Sequence, residues 1–179
     1  WLNENPVNWS LSEFPGFLRI NVVGGYLYLR NASNVLLTPA PADNYFIETS
    51  LSFSPRRDNQ FAGLIMYETD DNYIQAGLSY CNPINDCVGR GLYIDIYQNG
   101  NLVPPRNTVQ FTEDGLAMRM LRNGNKITFY TSEDGTVWYR LRDFTTTIDV
   151  KWVGLITGQS LDRNPAPALF DYFQISILK

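Results

Sequence analysis

The side chains with which this chain could do chemistry are carboxylates, amides and aromatic rings, because the sequence contains no histidine. That absence removes the usual general base at neutral pH, the commonest zinc ligand and the base of Ser–His and Cys–His pairs. Paired carboxylates could still hydrolyse a glycosidic bond. The densest acidic run spans residues 68–71 (ETDD), but its last three residues predict a turn. We therefore predict that this chain is not an enzyme by itself.

Alternation along the predicted strands separates core-facing from outward-facing side chains, because successive strand residues point to opposite faces. In residues 91–97 the aliphatic side chains of Leu92, Ile94 and Ile96 share one phase, and polar-tipped side chains share the other. Three further segments, interpreted in the same way, complete an outward set of ring, amide, carboxylate, hydroxyl and guanidinium groups. The outward set is Tyr73, Gln75, Tyr93, Asp95, Tyr97, Arg119, Thr128 and Tyr130.

The outward set forms one binding face if its strands are neighbours. The C–H groups of a pyranose ring stack on flat aromatic rings, and its hydroxyls need side chains that donate and accept hydrogen bonds. The set therefore predicts a surface that holds a polysaccharide chain. Two alternatives remain open: tyrosine simply favours strands, or a long loop such as residues 99–107 covers these rings.

The carboxylate of Asp171 is the candidate metal ligand. Asp171 shares its strand phase with Phe173 and Ile175, which are typical of core-facing positions. A buried carboxylate must be paired, hydrogen-bonded or bound to a metal, and calcium takes oxygen ligands. We therefore predict a structural calcium ion at Asp171, to which Glu4 could contribute. An arginine partner, or a position at the solvated end of the strand, is the alternative.

The two cysteines, Cys81 and Cys87, are separated by five residues. A redox CxxC motif has closer spacing, and a metal site needs more ligands. We predict a disulfide that closes a short loop, which should stabilise the fold by about 2 kcal/mol. Such a bridge indicates an oxidising, extracellular compartment.

Short strand-like runs recur along the chain with almost no helical periodicity, and Gly, Asn, Asp and Pro separate them. We predict eleven strands, one of them at residues 26–30. Pairs such as Asn99-Gly100 predict tight hairpin turns, since both residues tolerate positive φ. This pattern predicts an all-β fold, an antiparallel two-sheet sandwich. No linker interrupts residues 1–179, so we expect a single β-sandwich module.

Charge, hydropathy and the start of the chain limit the partners and the compartment. A net charge of −4 argues against nucleic acid, whose phosphates need clustered Lys and Arg. No apolar run approaches the ~20 residues that span a bilayer, so we expect no membrane partner. The chain begins at Trp1 without a methionine or a signal peptide, which predicts a module excised from a larger secreted protein.

Several motifs occur together in one order over nearly the whole chain. They are NPVNWSL at residues 5–11, PGFLRI at 15–20, AGLIMY at 62–67, DNYI at 71–74, LRNGN at 121–125, YTSEDGTVW at 130–138, VGL at 153–155 and FDYF at 170–173. This series resembles the concanavalin A-like, laminin-G-like domain at the C-terminus of family 43 glycoside hydrolases, the β-xylosidases and arabinofuranosidases. The resemblance implies a jelly-roll sandwich, and it aligns Asp171 with a position that often binds calcium in such sandwiches. The Cys81–Cys87 loop is a departure from the family.

The resemblance also implies a role beside a catalytic domain of the same polypeptide. In some relatives the domain completes the active-site pocket, and in others it binds xylan or related plant polysaccharides. We predict a non-catalytic carbohydrate-binding module for plant cell-wall polysaccharide, xylan or a related β-glycan, appended to a glycoside hydrolase. The alternatives are a structural accessory domain that packs on the catalytic domain, and a laminin-G-like adhesion module.

Overall fold

The computed structural model describes residues 1–83, 88–104, 107–160 and 165–178. Its described residues form fourteen β-strands and two single-turn 3₁₀ helices, Pro6–Asn8 and Leu27–Leu29, with no α-helix among them. No helix in these ranges is long and apolar enough to cross a membrane. The strands pair in two antiparallel sheets. The predicted all-β, antiparallel two-sheet sandwich is thereby confirmed.

The first sheet has seven strands in the order β1-β2-β14-β4-β10-β11-β12. Their bounds are β1 Trp9–Ser10, β2 Leu18–Val22, β14 Ala166–Ile177, β4 Tyr45–Ser52, β10 Gly115–Asn123, β11 Lys126–Ser132 and β12 Tyr139–Thr145. The last strand of the chain, β14, therefore lies between β2 and β4, so the two halves of the chain are paired in one sheet. This strand order depends on pairing between strands that are far apart in the sequence, so the order of the strands along the chain does not predict it.

The second sheet also has seven strands, in the order β3-β13-β5-β6-β7-β8, with β9 paired to β7 as well. Their bounds are β3 Leu36–Pro39, β13 Trp152–Gly158, β5 Phe61–Thr69, β6 Asn72–Cys81, β7 Gly89–Gln98, β8 Asn101–Leu102 and β9 Asn107–Gln110. The predicted turn between β7 and β8 is present: Asn99 has φ 54° and Gly100 has φ 75°. Two successive positive φ values match the twist of a hairpin.

The main core lies between the two sheets and follows the alternation predicted from the sequence. On the second sheet, Ile74 and Leu92 point inward and are buried. On the first sheet, Met118 and Phe129 do the same and are fully buried. The side chains of opposite phase on each strand are left for the outer faces, which point away from each other.

A second, smaller core covers part of the outer face of the second sheet. Leu27 of the second 3₁₀ turn and Val35 pack there against Phe61, Tyr73 and Ile156. The segment 24–35 therefore lies across strands β13, β5 and β6. The prediction of a strand at residues 26–30 is wrong. These residues form the 3₁₀ turn Leu27–Leu29, which ends at Arg30 with a φ of 58°.

Candidate functional site

The predicted outward set is divided between the two sheets. Five of its members lie on the neighbouring strands β6 and β7 of the second sheet; these are Tyr73, Gln75, Tyr93, Asp95 and Tyr97. The other three, Arg119 on β10 and Thr128 and Tyr130 on β11, belong to the first sheet. The prediction of one common face is wrong for these three, because alternation along a strand gives the phase of a side chain but not the sheet that holds it.

Burial corrects a second part of the prediction. The whole set was expected to face water, yet Tyr73 and Tyr93 are 1% and 0% exposed, and Gln75, Asp95 and Thr128 are buried as well. Segment 24–35 covers Tyr73, and the hydroxyl of Tyr93 donates a hydrogen bond to the carbonyl of Gly89 at 2.7 Å. The alternative that a long loop covers these rings named residues 99–107, whereas the cover observed over Tyr73 is segment 24–35. Tyr97 remains partly exposed at the margin of this cover.

A cleft of about 190 Å³ lies on this outer face, where segment 24–35 leaves strands β6 and β7 uncovered. Its lining side chains are amides, one carboxylate, one serine, one leucine and four aromatic rings. They are Tyr26, Tyr28, Asn59, Phe61, Gln75, Ser79, Asp95, Tyr97 and Leu102. The volume is below the roughly 300–1,000 Å³ of sites for drug-sized ligands. It suits one sugar ring and not a longer oligosaccharide.

The floor of the cleft is the pair Gln75 and Asp95, which are directly opposite each other in the β6–β7 ladder. The amide Nε2 of Gln75 donates to Oδ2 of Asp95 at 3.3 Å. The two residues are only 7% and 1% exposed, so their hydrogen bonds act in a medium of low polarity. Burial raises the pKa of the Tyr73 hydroxyl, and the nearby Tyr97 and Asp95 raise it further. The hydroxyl therefore stays neutral. The floor thus offers fixed donors and acceptors.

Three tyrosines of the cleft wall stack on one another, and the run continues to the buried Tyr73. The ring centroids are 5.3 Å apart for Tyr26 and Tyr28, 5.3 Å for Tyr28 and Tyr97, and 4.6 Å for Tyr97 and Tyr73. Tyr28 is 37% exposed, whereas the hydroxyl of Tyr26 donates to the carbonyl of Asn59 at 2.9 Å. Mutual stacking fixes ring orientations before any ligand arrives, which lowers the entropic cost of binding.

Tyr26 and Tyr28 were not predicted as site residues from the sequence. Their placement depends on two nearby residues, Gly25 and Asn31. Gly25 has φ 137°, and a β-carbon there would lie 2.2 Å from the carbonyl oxygen of Asn31, so only glycine fits. The side chain of Asn31 in turn accepts a hydrogen bond from the backbone N–H of Tyr26 at 2.9 Å. The Gly24-Gly25 pair followed by Asn31 was the available signal for a closed turn in place of a strand.

Comparison with known proteins gives the family. The model described as the β-xylosidase C-terminal concanavalin A-like domain, of family 43 glycoside hydrolases, matches residues 1–176. The chain belongs to this family of C-terminal concanavalin A-like domains. The resemblance noted in the sequence is thereby confirmed. Among curated proteins, none matched the chain.

Solved structures share the fold of this chain. A family 43 protein from Bacillus licheniformis superposes with a TM-score of 0.85 at 22% identity, over 98% of this chain and 36% of that one. A xylan β-1,4-xylosidase from Bacillus halodurans superposes with a TM-score of 0.81 at 21% identity, over 96% of this chain and 35% of that one. A functionally unknown protein from Saccharomyces cerevisiae gives 0.73 at 13% identity, over 98% of this chain and 94% of that one. The chain thus spans about a third of the two bacterial proteins.

On the opposite face of this family 43 domain, Arg119 belongs to a closed ion-pair network. Its Nε and Nη2 atoms donate to Oε2 of Glu48 at 2.8 and 2.6 Å. The guanidinium lies between the rings of Phe46 and Trp138, 4.1 and 3.9 Å from their centroids. Tyr172 donates to the other Glu48 oxygen at 2.6 Å. Burial, together with this hydrogen bond, raises the pKa of Tyr172. The contacts indicate a structural role for Arg119.

Asp171 is exposed, so the burial from which we predicted its calcium ion is absent. A register shift between Phe170 and Tyr172, typical of a β-bulge, leaves Asp171 without a partner on β4. The extra residue of a bulge departs from the strand phase, which is why alternation placed it inward. Glu4 accepts a hydrogen bond from Nε1 of Trp9 at 3.1 Å. Calcium binding stays a prediction, and the described residues contain no cluster of three possible metal ligands.

The predicted disulfide involves Cys81, which ends strand β6 and is 5% exposed. Its expected partner, Cys87, lies outside the described residues. The Cys81–Cys87 bridge, and the extracellular location inferred from it, stay predictions.

Proposed function

We propose that this chain is the non-catalytic accessory domain of a family 43 glycoside hydrolase. Its tyrosine-walled cleft holds one sugar unit of a plant cell-wall polysaccharide, xylan or a related β-glycan. The observation that carries this proposal is the pairing of a fixed polar floor, Gln75 and Asp95, with the stacked rings of Tyr28 and Tyr97. The family supports the accessory role, since its description places this domain at the C-terminus of β-xylosidases.

The cleft matches the two chemical sides of a sugar ring. A pyranose presents C–H groups on its faces and hydroxyls around its edge, and a ring wall beside a polar floor complements both at once. The Asp95 carboxylate, which already accepts from Gln75, can only accept hydrogen bonds from sugar hydroxyls, whereas the Gln75 amide can both donate and accept. Each contact replaces one with water, so the expected affinity is modest and arises mainly from preorganisation.

The cleft also lacks the pair of acids that hydrolysis requires. Glycosidases place two carboxyl groups on either side of the scissile bond, about 5–9.5 Å apart. Among the described residues that line this cleft, Asp95 is the single carboxylate. The proposed activity is therefore binding without turnover.

The substitution Tyr97→Ala is expected to weaken binding of neutral xylo-oligosaccharides about tenfold, because it removes the ring at the centre of the stack. Titration calorimetry of the two proteins, together with arabinan and β-glucan as further ligands, measures the change. The matched control is Tyr139→Ala, which removes a 60% exposed tyrosine from edge strand β12 of the first sheet and should leave the affinity unchanged. If the unaltered chain binds none of these saccharides, the proposal is wrong.

A second candidate function is docking onto a catalytic domain of the same polypeptide. The apolar surface at the start of the chain favours it: Trp1 stacks on Trp9 at 5.0 Å, and Val7 and Leu11 are 82% and 66% exposed. An apolar patch of this kind is typical of an interaction site. The C-terminal position named for the family means that other parts of such enzymes precede this domain.

The docking candidate predicts that Leu11→Asp destabilises a two-domain protein but not the isolated chain. A charge placed in an interface loses its water without gaining a partner. Differential scanning calorimetry of both forms measures the change, with Val137→Asp, at a 54% exposed position after β11, as the control. Equal unfolding temperatures for the two variants in the two-domain protein would exclude docking through this surface.

A further inference from the structure

A second cleft, of about 350 Å³, lies at one end of the sandwich. Three pieces of chain meet there: the loop 54–60 before β5, the end of β6 and the residues after β13. Its lining includes the side chains of Arg56, Asp58, Asn82 and Gln159. Asp58 is adjacent in the sequence to Asn59, which lines the first cleft, so the loop 54–60 separates the two clefts.

A chain of hydrogen bonds fixes the orientation of the Gln159 amide. The Oε1 atom of Gln60 accepts from the backbone N–H groups of Arg56 and Arg57 at 2.9 and 3.1 Å. Its Nε2 atom must therefore be the donor that contacts Oε1 of Gln159 at 3.1 Å. As a result, the amide of Gln159 presents its own Nε2 group away from Gln60.

That Nε2 group of Gln159 is a buried donor without an acceptor among the described residues. Gln159 is 2% exposed. A buried polar group without a partner is unfavourable, and native structures rarely leave one without a reason. This atom is closed off from solvent, so an oxygen atom of a ligand in the cleft would supply the missing acceptor once the surrounding side chains move aside.

The charge of the cleft favours an anionic ligand. Arg56 is exposed and makes no close ion pair within the part of the chain that the structure describes, although its charge helps to lower the pKa of Asp114. The one acid in the lining, Asp58, accepts a short hydrogen bond from the backbone N–H of Asn82 through Oδ1. Guanidinium groups bind carboxylates through parallel hydrogen bonds, which a neutral hydroxyl cannot match.

We propose that this second cleft binds the carboxylate of a uronic acid that branches from a polysaccharide. The inference rests on the proposed saccharide function of the first cleft. A neutral unit of the main chain occupies the tyrosine-walled cleft, and an acidic branch reaches past the loop 54–60 to Arg56 and Gln159. The domain then prefers acidic, branched polysaccharide over the undecorated chain.

Titration calorimetry with a glucuronate-branched xylo-oligosaccharide and its undecorated counterpart tests the inference. The branched ligand should bind about tenfold more tightly at low salt, and the difference should shrink as salt screens the charge. Arg56→Gln should remove this preference while leaving the affinity for the undecorated ligand unchanged. Arg140→Gln is the matched control, since Arg140 is 62% exposed on the edge strand β12 of the first sheet.

Binding measurements with free glucuronate, glucose and phosphate show which of the two proposals fails, because they test the acidic site without the polysaccharide main chain. Glucuronate binding that glucose does not reproduce, and that Gln159→Leu weakens, supports the acidic site even if undecorated chains do not bind. Equal affinities for branched and undecorated ligands overturn the inference and leave the first proposal intact. Phosphate that displaces glucuronate at equal concentration shows a general anion site and also overturns it.

Discussion

Replacement of Gly77 by alanine is expected to lower the free energy of unfolding by about 3 kcal/mol or more. A β-carbon at this position would lie 2.0 Å from the carbonyl oxygen of Ala62 and 2.7 Å from Cα of Gly63. Both contacts are with backbone atoms, so no side chain can rotate away. Strands β5 and β6 are interior strands of the second sheet, held by β13 on one side and β7 on the other. They cannot separate without disturbing the floor of the cleft.

Urea denaturation of Gly77→Ala measures this loss, and Gly115→Ala is the matched control. Gly115 begins strand β10, and the nearest atom to its added β-carbon would be the carbonyl oxygen of Leu51 at 3.3 Å. A small adjustment relieves that contact, so the expected change is below about 1 kcal/mol. Equal stabilities of the two variants would show that the backbones of β5 and β6 are not as close as described.

Arg119→Met is expected to destabilise the domain by about 3 kcal/mol, because it leaves the carboxylate of Glu48 without its counter-charge. The Glu48 side chain is 9% exposed, so water replaces the lost guanidinium poorly. The substitution also removes the cation that lies between Phe46 and Trp138. The methionine keeps much of the apolar length of the arginine, which limits the change mainly to the charge.

A double-mutant cycle with Glu48→Gln tests this reasoning by denaturant unfolding. The double variant should be more stable than Arg119→Met alone, since an uncharged amide can still accept from Tyr172 and leaves no buried charge. Arg140→Met, which breaks only a 3.8 Å contact of an exposed arginine with Asp143, should change stability by less than about 0.5 kcal/mol. If Arg119→Met is no more harmful than that control, the network contributes little.

Local sequence patterns were enough to predict most of the longer strands, the core and part of the site. Period-two alternation placed Ile74 and Leu92 correctly in the core, because a strand between a core and another layer forces one phase to be apolar. The same alternation put Gln75 and Asp95 in one phase, and the ladder of β6 and β7 makes them partners. The hairpin at Asn99-Gly100 followed from the backbone freedom of these two residue types.

The errors arose where structure depends on residues distant in the chain. Arg119 has the same phase as the cleft residues, but pairing with β4 places it on the first sheet. Residues 26–30 have a strand-like composition, yet packing against Phe61 and Ile156 folds them into a 3₁₀ turn. Asp171 follows an apolar alternation that a single extra residue interrupts. Strand order, cover and bulges are tertiary properties, and one sequence carries weak local signals for them.

The consequence for the proposed function is that the candidate saccharide surface is a small cleft and not an open sheet. Segment 24–35 buries Tyr73 and adds Tyr26 and Tyr28 to the wall. The exposed part of this face is therefore a cleft about one ring wide and not the broad flat surface that the sequence predicted. Under our proposal, a site of this size would select a sugar unit by its shape and hydroxyls. It also makes affinity depend on a few side chains, which simplifies testing.

Chemical-shift mapping with a neutral xylo-oligosaccharide is the most direct test of where the saccharide binds. The amide signals of Tyr28, Gln75, Asp95 and Tyr97 should move together with one saturation curve, while those around Arg119 stay fixed. Shifts confined to the outer face of the first sheet, or none at any concentration, would contradict the assignment of the tyrosine-walled cleft as the saccharide site.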